Sequence, residues 1–271
     1  SLVRAAQAVT DAGAHDPGAG AVFASLRGGL GRLPTALAAS GGFAVRVSTT
    51  VRAVRRTAGG FEVLCGPVPG QEAIAADAVV LATPAAKTAL LLGEIAPAAS
   101  GGLNSIDSAS VAIVTLAFDD AHPPAGSGLL IALQEGFTTK AVTLTSQKWP
   151  IDTGGVTVLR ASLGRAGDAQ ALQRDDVELI ALVRHELRSL IGVAAEPIDA
   201  LVTRWGGGLP QYAVGHVALV GRIRAAVAVI PALAVCGAAY DGVGVPACIA
   251  SAYAAADRVV AALAAGGQSQ S

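Results

Sequence analysis

Three glycines punctuate a short segment near the end of the chain, at Gly237, Gly242 and Gly244. An apolar run precedes them and an alanine-rich stretch that begins near Pro246 follows, which predicts a strand, a turn and the start of a helix. Glycines in such a turn let backbone N–H groups approach a ligand, and the positive end of a helix favours a phosphate or an electron-rich ring oxygen. The segment therefore predicts a ligand-binding turn, with a purely structural turn as the alternative.

Side chains that often carry chemistry of their own are scattered along the chain. The histidines have no i, i+4 pair, and the odd number of widely separated cysteines indicates neither a zinc site nor a disulfide framework. These residues are His15, His122, His185, His216, Cys65, Cys236 and Cys248. The sequence also has no Gly-x-Ser-x-Gly motif typical of hydrolases. We predict no metal site and assign no catalytic acid, base or nucleophile.

The glycine segment has a specific sequence. Residues 239–249, Ala-Tyr-Asp-Gly-Val-Gly-Val-Pro-Ala-Cys-Ile, closely resemble the C-terminal flavin-contacting segment of the porphyrinogen oxidases, the FAD enzymes of haem synthesis. Three other stretches resemble motifs of that family in the same order: a glycine turn and helix at 27–33, a Ser-x-Lys-Trp strand end at 146–150, and Trp-x-x-x-Leu-Pro-Gln-Tyr-x-x-Gly-His at 205–216. Together they span nearly the whole chain.

This resemblance implies FAD as the cofactor and gives candidate positions for its binding. The residues that match cofactor-binding positions of the family are Val51, Trp205, Ala238, Val243, Gly244 and Val245. It implies that the backbone of Val51 meets the adenine, that Trp205 lies near the flavin, and that the other four contact the flavin largely through backbone atoms. The alternatives are an ordinary strand valine, a core tryptophan and a plain turn.

The resemblance also implies a reaction, the oxidation of coproporphyrinogen III to coproporphyrin III by dioxygen in the cytoplasm. Protoporphyrinogen IX is the alternative substrate. Arg27, Arg160 and Arg204 could hold the propionates of a porphyrinogen, because a guanidinium grips a carboxylate through two parallel hydrogen bonds. Ordinary surface or structural arginines are the alternative. An amine oxidase or desaturase of the same superfamily, and a non-catalytic remnant without flavin, remain further alternatives.

One motif expected of a dinucleotide-binding enzyme is absent from the sequence. No Gly-x-Gly-x-x-Gly, which seats a pyrophosphate on the first helix of a Rossmann unit, occurs in the chain. The chain also contains no methionine and begins at Ser1. We interpret it as the C-terminal portion of a longer enzyme, with a genuine short protein as the alternative.

Composition sets broader limits. The 271 residues are 52% hydrophobic, which is enough for a sizeable core. The net charge of −1 offers no basic face, so we expect neither nucleic acid nor an anionic membrane as a partner. The longest uncharged runs, 225–240 and 242–256, are broken by proline or glycine, and no transmembrane segment is predicted. Composition sets no oligomeric state.

Hydrophobic periodicity predicts a mixed α/β fold, the C-terminal part of a two-domain flavoprotein. Predicted helices cover about ten residues after Gly29, residues 176–191 and residues 247–265, the last of them largely buried because it carries two charges. Predicted strands lie at 45–47, 51–54, 61–64, 78–82, 111–118, 128–133, 140–145, 156–163, 202–205 and 227–236. Within the helix 176–191 the apolar stripe leaves Glu186 on the solvent side.

The order of these elements predicts two interleaved domains. Residues 27–97 and 209–265 form the FAD-binding domain in this interpretation, and residues 98–208 form the substrate-binding domain, a mixed or antiparallel sheet. Residues 1–26 end a helical region that precedes them, and 266–271 form a polar tail.

Overall fold

The computed structural model describes residues 25–149, 153–168 and 170–268. This part of the chain begins with a glycine turn. Gly28 and Gly29 have φ of 81° and 88° and lead into a helix that ends before Gly41. The predicted turn and helix are thereby confirmed. They belong to a unit of residues 1–46, while residues 47–271 form a second unit. Most of the predicted helical region 1–26 lies outside the described residues.

Seven α-helices and ten strands can be named within the described residues. In chain order they are α1 (Arg32–Ala39), β1 (Val51–Thr57), β2 (Gly60–Cys65), β3 (Glu72–Ala76), β4 (Val79–Leu81), α2 (Ala85–Leu92), α3 (Pro97–Asn104), β5 (Ser108–Phe118), β6 (Gly128–Leu130), β7 (Thr139–Leu144), α4 (Thr145–Lys148), β8 (Thr157–Leu163), α5 (Asp176–Ile191), β9 (Asp199–Pro210), α6 (His216–Ala228), β10 (Leu233–Val235) and α7 (Val245–Gln268). This content confirms the predicted mixed α/β class.

The hairpin predicted at 51–64 is present. β1 and β2 pair antiparallel with Thr57 opposite Gly60, and β3 extends the sheet from the other side of β2. Gly60 has φ of 148°, and a Cβ there would lie 2.5 Å from the carbonyl oxygen of Ala76. The turn therefore requires glycine.

Two short parallel strands carry the first hydrophobic core. β4 pairs parallel with β10, which confirms the parallel strand predicted at 78–82. Helices α6 and α7 pack against β10, and α3 packs against α2 and α6. Buried side chains from the hairpin, these strands and these helices form one cluster, which includes Val54, Phe61, Leu92, Leu103, Ile223 and Leu233. The glycine segment leaves this core at the end of β10.

A five-stranded antiparallel sheet carries the second core. Its strand order is β6-β7-β8-β5-β9, so that β8 is the central strand. One face of the sheet packs against α5, whose buried side chains include Leu179, Val183 and Leu187. A capping box between Asp175 and Glu178 starts α5, and Gly192 with φ of 72° ends it. The antiparallel sheet and this helix are as predicted, while the assignment of the two cores to separate domains stays a prediction.

Several predicted elements differ from the structure. Residues 45–47 form no strand, and the region predicted as a strand from residue 227 contains the end of α6 and only three strand residues, 233–235. Pro231 lies between the end of α6 and the strand, and because proline has no backbone N–H it cannot continue the helix. Helices α2, α3 and α6 and strand β3 were not predicted. Residues 145–148 form one helical turn where a strand end was expected.

The last helix, α7, is less buried than its composition suggests. Ala255 and Val259 lie on its buried side toward β10, whereas Ile249, Tyr253 and Val260 are exposed. The prediction that α7 is largely buried is therefore wrong for the described residues. By length and composition alone Val245–Gly266 could cross a membrane, the one such helix in the described part of the chain, and that is weak evidence for a span.

Candidate flavin site

The glycine segment joins β10 to α7 through an irregular loop, residues 236–244. Gly237 has φ of 116° and Gly242 has φ of 155°, and a Cβ on Gly242 would lie 2.9 Å from the Cβ of Ala247. Both positions therefore favour glycine, because other residues rarely adopt these conformations. The Gly237 amide donates to the Ser251 hydroxyl at 3.2 Å, so α7 itself anchors the start of the loop.

Two aromatic rings hold the loop from the side of α6. The Tyr212 hydroxyl donates to the carbonyl oxygen of Ala238. The Nε2 atom of His216 lies 3.3 Å from the carbonyl oxygen of Tyr240. The rings of Tyr212 and His216 are stacked with centroids 4.2 Å apart. The motif 205–216 therefore fixes the backbone of the predicted flavin-contacting segment, a role that the sequence analysis did not assign.

An ion pair fixes the far end of the loop. Arg224 of α6 donates through both terminal nitrogens to the two carboxylate oxygens of Asp241. The guanidinium carbon also lies 5.7 Å from the centroid of the buried Tyr240 ring. Burial raises the pKa of the Tyr240 hydroxyl and of the Cys236 thiol, so both groups are neutral at pH 7. The loop thus approaches α7 without an unpaired charge of its own.

Replacing Tyr212 by phenylalanine should weaken flavin retention about fivefold, since it removes one hydrogen bond worth about 1 kcal/mol while the ring stack remains. The measurement is the flavin dissociation constant from absorbance titration. Tyr253→Phe, on the exposed side of α7, is the matched control. Equal retention by the Tyr212→Phe and control proteins would contradict a role for Tyr212 in holding Ala238.

Asp241→Asn tests the ion pair through its pH dependence. The hydrogen bond from Arg224 is the main cause that holds the pKa of Asp241 below its usual value. A carboxyl with a lower pKa in the folded state stabilises the fold above its unfolded pKa and loses that contribution as the pH falls through the folded pKa. We expect Asp241→Asn to lower the free energy of unfolding by about 0.5–1 kcal/mol at pH 7.

The difference in the free energy of unfolding between the Asp241→Asn and unmodified proteins should shrink below about pH 4, where the carboxyl of the unfolded chain binds a proton. Urea unfolding at several pH values between 3 and 7 measures it. Asp257→Asn, an exposed carboxylate on α7, controls for the loss of one charge. A difference that is undiminished at pH 3 would show that the ion pair is not its source.

The six predicted cofactor positions fall in three places. Ala238 is half-buried in the loop, whereas Val243, Gly244 and Val245 lie exposed at the start of α7. Val51 begins β1, three residues before Val54, which packs in the same core as β10. Trp205 lies on β9, where its side chain is 58% exposed, so it is not a core tryptophan. The structure gathers four of the six into one segment.

The three candidate arginines differ in their surroundings. Arg27 belongs to the unit of residues 1–46. Arg204 pairs with Asp176 and donates to the carbonyl oxygen of Arg174, which is a structural role at the start of α5. Arg160 is exposed on the central strand of the five-stranded sheet. Within the described residues no group of three or more His, Cys, Asp or Glu side chains is arranged to hold a metal ion.

A cleft of about 820 Å³ lies between α6 and α7, beside β10. Alanines line most of it, together with the Arg224–Asp241 pair and Arg258. Arg258 donates to the carbonyl oxygens of Leu233 and Ala228 and so fastens α7 to β10 and α6. The predicted flavin contacts Val243, Gly244 and Val245 do not line this cleft, and we do not assign it to the cofactor.

Comparison with known proteins identifies the family. The family described as flavin containing amine oxidoreductase matches residues 3–260, almost the entire chain. The chain belongs to this family. A coproporphyrinogen III oxidase of Mycobacterium tuberculosis is 43% identical over 189 residues, which cover 69% of this chain and 41% of that protein. A coproporphyrinogen III oxidase of Propionibacterium freudenreichii is 36% identical and covers 94% of this chain and 48% of its own length.

A solved structure agrees with these sequence matches. A protein of Exiguobacterium, provisionally named a protoporphyrinogen oxidase, superposes with a TM-score of 0.75 at 32% identity, over 84% of this chain and 50% of that protein. The chain therefore spans about half the length, or less, of the relatives that it matches.

The residues of the segment fit a flavin. A Cβ on Gly244 would meet only the ring of Pro246, at 3.8 Å, and one on Gly237 only the Ala82 carbonyl oxygen, at 3.7 Å. The backbone at the start of α7 therefore has space beside it for a flat ring, and the N-terminal end of a helix favours an electron-rich ring oxygen. Tyr212, His216 and Asp241 hold this backbone in place from the protein side.

Proposed function

We propose that the protein takes part in the FAD-dependent oxidation of coproporphyrinogen III to coproporphyrin III with dioxygen as the electron acceptor. The single observation that supports this most is the 43% identity to an enzyme named for that substrate, within a flavin-containing family. The open backbone at the start of α7 agrees with it. Because the chain spans about half the length of the matched relatives, or less, the proposal concerns the activity of a protein of their full length.

FAD would accept the electrons removed from the substrate and pass them to dioxygen, which yields hydrogen peroxide. In this scheme the chain's own residues bind the cofactor and hold it in position. Ala238, Val243, Gly244 and Val245 would hold the flavin ring through backbone atoms, and Tyr212 would keep Ala238 in position. The backbone of Val51 is proposed to meet the adenine, and Trp205 to lie near the flavin. No side chain is assigned a proton transfer.

The test is porphyrin fluorescence over time, after coproporphyrinogen III in air is mixed with the protein and FAD. A rise above the autoxidation control, accompanied by the formation of hydrogen peroxide, is the expected result. No rise from protein that demonstrably binds flavin would overturn the proposal and favour an amine oxidase or desaturase. Protein that binds no flavin would favour the non-catalytic alternative.

Protoporphyrinogen IX is the second candidate substrate, because the Exiguobacterium structure carries that name at 32% identity. The same assay with both substrates decides between them. We expect the higher kcat/KM for coproporphyrinogen III, since the relatives with that name are closer in sequence. A preference for protoporphyrinogen IX would reject the narrower claim and keep the reaction class.

For location we propose the cytoplasm, on the resemblance alone, with the porphyrinogen and dioxygen as the small-molecule partners. Fractionation of cells that express the whole protein, followed by immunodetection, tests this. Recovery mainly with the membrane fraction would contradict it and would direct attention to the exposed apolar side of α7.

A further inference from the structure

Two cysteines bracket the segment that is proposed to hold the flavin. Cys236 directly follows β10 and is buried, and Cys248 lies in the first turn of α7 and is half-buried. The predicted flavin contacts that lie between these two cysteines in the chain are Ala238, Val243, Gly244 and Val245. A bond between the two sulfurs would therefore close a covalent ring that contains all four of them.

The fold brings these two cysteines to the same place. Gly237, the residue after Cys236, donates its amide to the hydroxyl of Ser251 at 3.2 Å. Ser251 lies three residues after Cys248 on α7, on the same side of the helix and about 4.5 Å farther along its axis. Cys236 also belongs to the small buried cluster that β10 forms with α7 through Ala255. The side of α7 that carries Cys248 is therefore the side that faces the end of β10.

The contacts of Cys248 keep its thiol beside the loop. Its Sγ lies 3.6 Å from the carbonyl oxygen of Gly242, which is a weak hydrogen bond. Burial, and after it the nearby charge of Cys248, raises the pKa of the Cys236 thiol, and an electrostatic effect of this kind falls off with distance. The sulfurs must still approach each other to form a bond. The first turn of α7 can supply that movement, because few hydrogen bonds within a helix hold its first turn.

The proposed reaction supplies an oxidant beside these thiols. Electrons that pass from the flavin to dioxygen yield hydrogen peroxide, and the predicted flavin contacts 243–245 precede Cys248 by only a few residues. Hydrogen peroxide converts an accessible cysteine to a sulfenic acid, and a second thiol nearby then condenses with it to form a disulfide. Of the two sulfurs, peroxide reaches Cys248 first, because Cys236 is only 3% exposed.

We propose that hydrogen peroxide joins Cys248 and Cys236 in a disulfide and that this bond releases the flavin. One peroxide converts the Cys248 thiol to a sulfenic acid and one water, and the Cys236 sulfur then displaces the second oxygen as water. The two thiols lose two electrons and two protons, and the peroxide is reduced to two waters. The bond draws Cys248 away from the Gly242 carbonyl and so displaces the backbone between them. The inference rests on the proposed function, from which it takes the flavin and the peroxide.

The test is peptide mapping of the full chain after exposure to hydrogen peroxide and alkylation of the remaining thiols in denaturant. Trypsin leaves both cysteines in one peptide, residues 225–258, which should escape alkylation and be lighter by two hydrogen atoms than its reduced form. Chymotrypsin cuts after Tyr240, and the two halves should stay linked until a reductant is added. In Cys236→Ser, dimedone should instead trap a sulfenic acid on Cys248. Cys65, buried on β2, is the internal control and should be alkylated as in untreated protein.

The second measurement is the flavin dissociation constant before and after peroxide treatment. Oxidation should raise it at least about tenfold in the unmodified chain and in Cys65→Ser, and leave it unchanged in Cys236→Ser and Cys248→Ser. Dithiothreitol should restore the original value. Alkylated Cys236 after treatment, a disulfide between two chains, or unchanged flavin affinity of the bridged protein would each overturn the inference, as would a reduced chain that binds no flavin. The peptide mapping requires neither flavin nor turnover, so porphyrin fluorescence from coproporphyrinogen III in air judges the proposed function separately.

Discussion

Replacing Glu186 by alanine is expected to lower the free energy of unfolding by about 2–4 kcal/mol. Glu186 is only 6% exposed, and its carboxylate accepts hydrogen bonds at 2.8 Å from the backbone amides of Thr138 and Thr139. These bonds tie α5 to the start of β7. Without the carboxylate, two N–H groups near the second core lose their partner, and a buried donor without an acceptor costs most of its hydration energy.

Urea unfolding followed by circular dichroism measures this effect. Glu186→Gln retains one acceptor oxygen and should lose roughly half as much, while Glu94→Ala, an exposed glutamate, should change the unfolding free energy by less than about 0.5 kcal/mol. If Glu186→Ala were as stable as Glu94→Ala, the two backbone amides would have to find other partners. The register of β7 against β8 would then not depend on α5.

Glu186 also shows where sequence reasoning fails. The stripe Leu179, Val183 and Leu187 was readable from its spacing, and α5 lies where it was predicted. Glu186 borders that stripe, and its burial depends on backbone amides 47 and 48 residues earlier in the chain. Periodicity within one helix carries no information on what packs against the border of its apolar face. A long-range contact of this kind is therefore invisible to a local pattern.

The other helices illustrate a second limit. Helix α6 buries Val220, Ile223 and Val227, a helical spacing that the sequence displays. It was missed because the apolar run continues through Ile230 into β10, and an apolar run alone does not distinguish a buried helix end from a strand. For α7 the composition was interpreted correctly as apolar, but burial depends on a covering partner, and the described residues cover only the side toward β10.

The sequence predicts the candidate site at the positions where a family motif contains glycines that the backbone conformation requires. Gly237 and Gly242 occupy conformations that demand glycine, so the turn was evident from residue types alone. The side chains that hold the turn were not evident, because Tyr212, His216 and Arg224 reach it from 17 to 26 residues away. The positions of Val51 and Trp205 as cofactor contacts stay predictions.

Gly242→Ala is expected to raise the flavin dissociation constant at least about tenfold. Its φ of 155° is strained for any side-chain-bearing residue, and the new methyl carbon would lie 2.9 Å from the Cβ of Ala247 in the first turn of α7. Strain of this kind costs about 1–3 kcal/mol. The loop can relieve it only by moving the backbone of Val243 and Gly244, which is the part proposed to hold the flavin.

Alanine substitutions at two other glycines distinguish the effect of backbone strain from the effect of the added methyl group. Gly101→Ala, in α3, where a Cβ would meet nothing within 4 Å, should leave flavin affinity unchanged. Gly244→Ala adds a methyl to the open side of the segment, 3.8 Å from the Pro246 ring, without a left-handed φ, so it should fold normally. If a flavin lies on that backbone, Gly244→Ala must weaken its binding while the free energy of unfolding without FAD is unchanged. Full flavin affinity in both Gly242→Ala and Gly244→Ala would mean that the segment is a structural turn and that the flavin binds elsewhere.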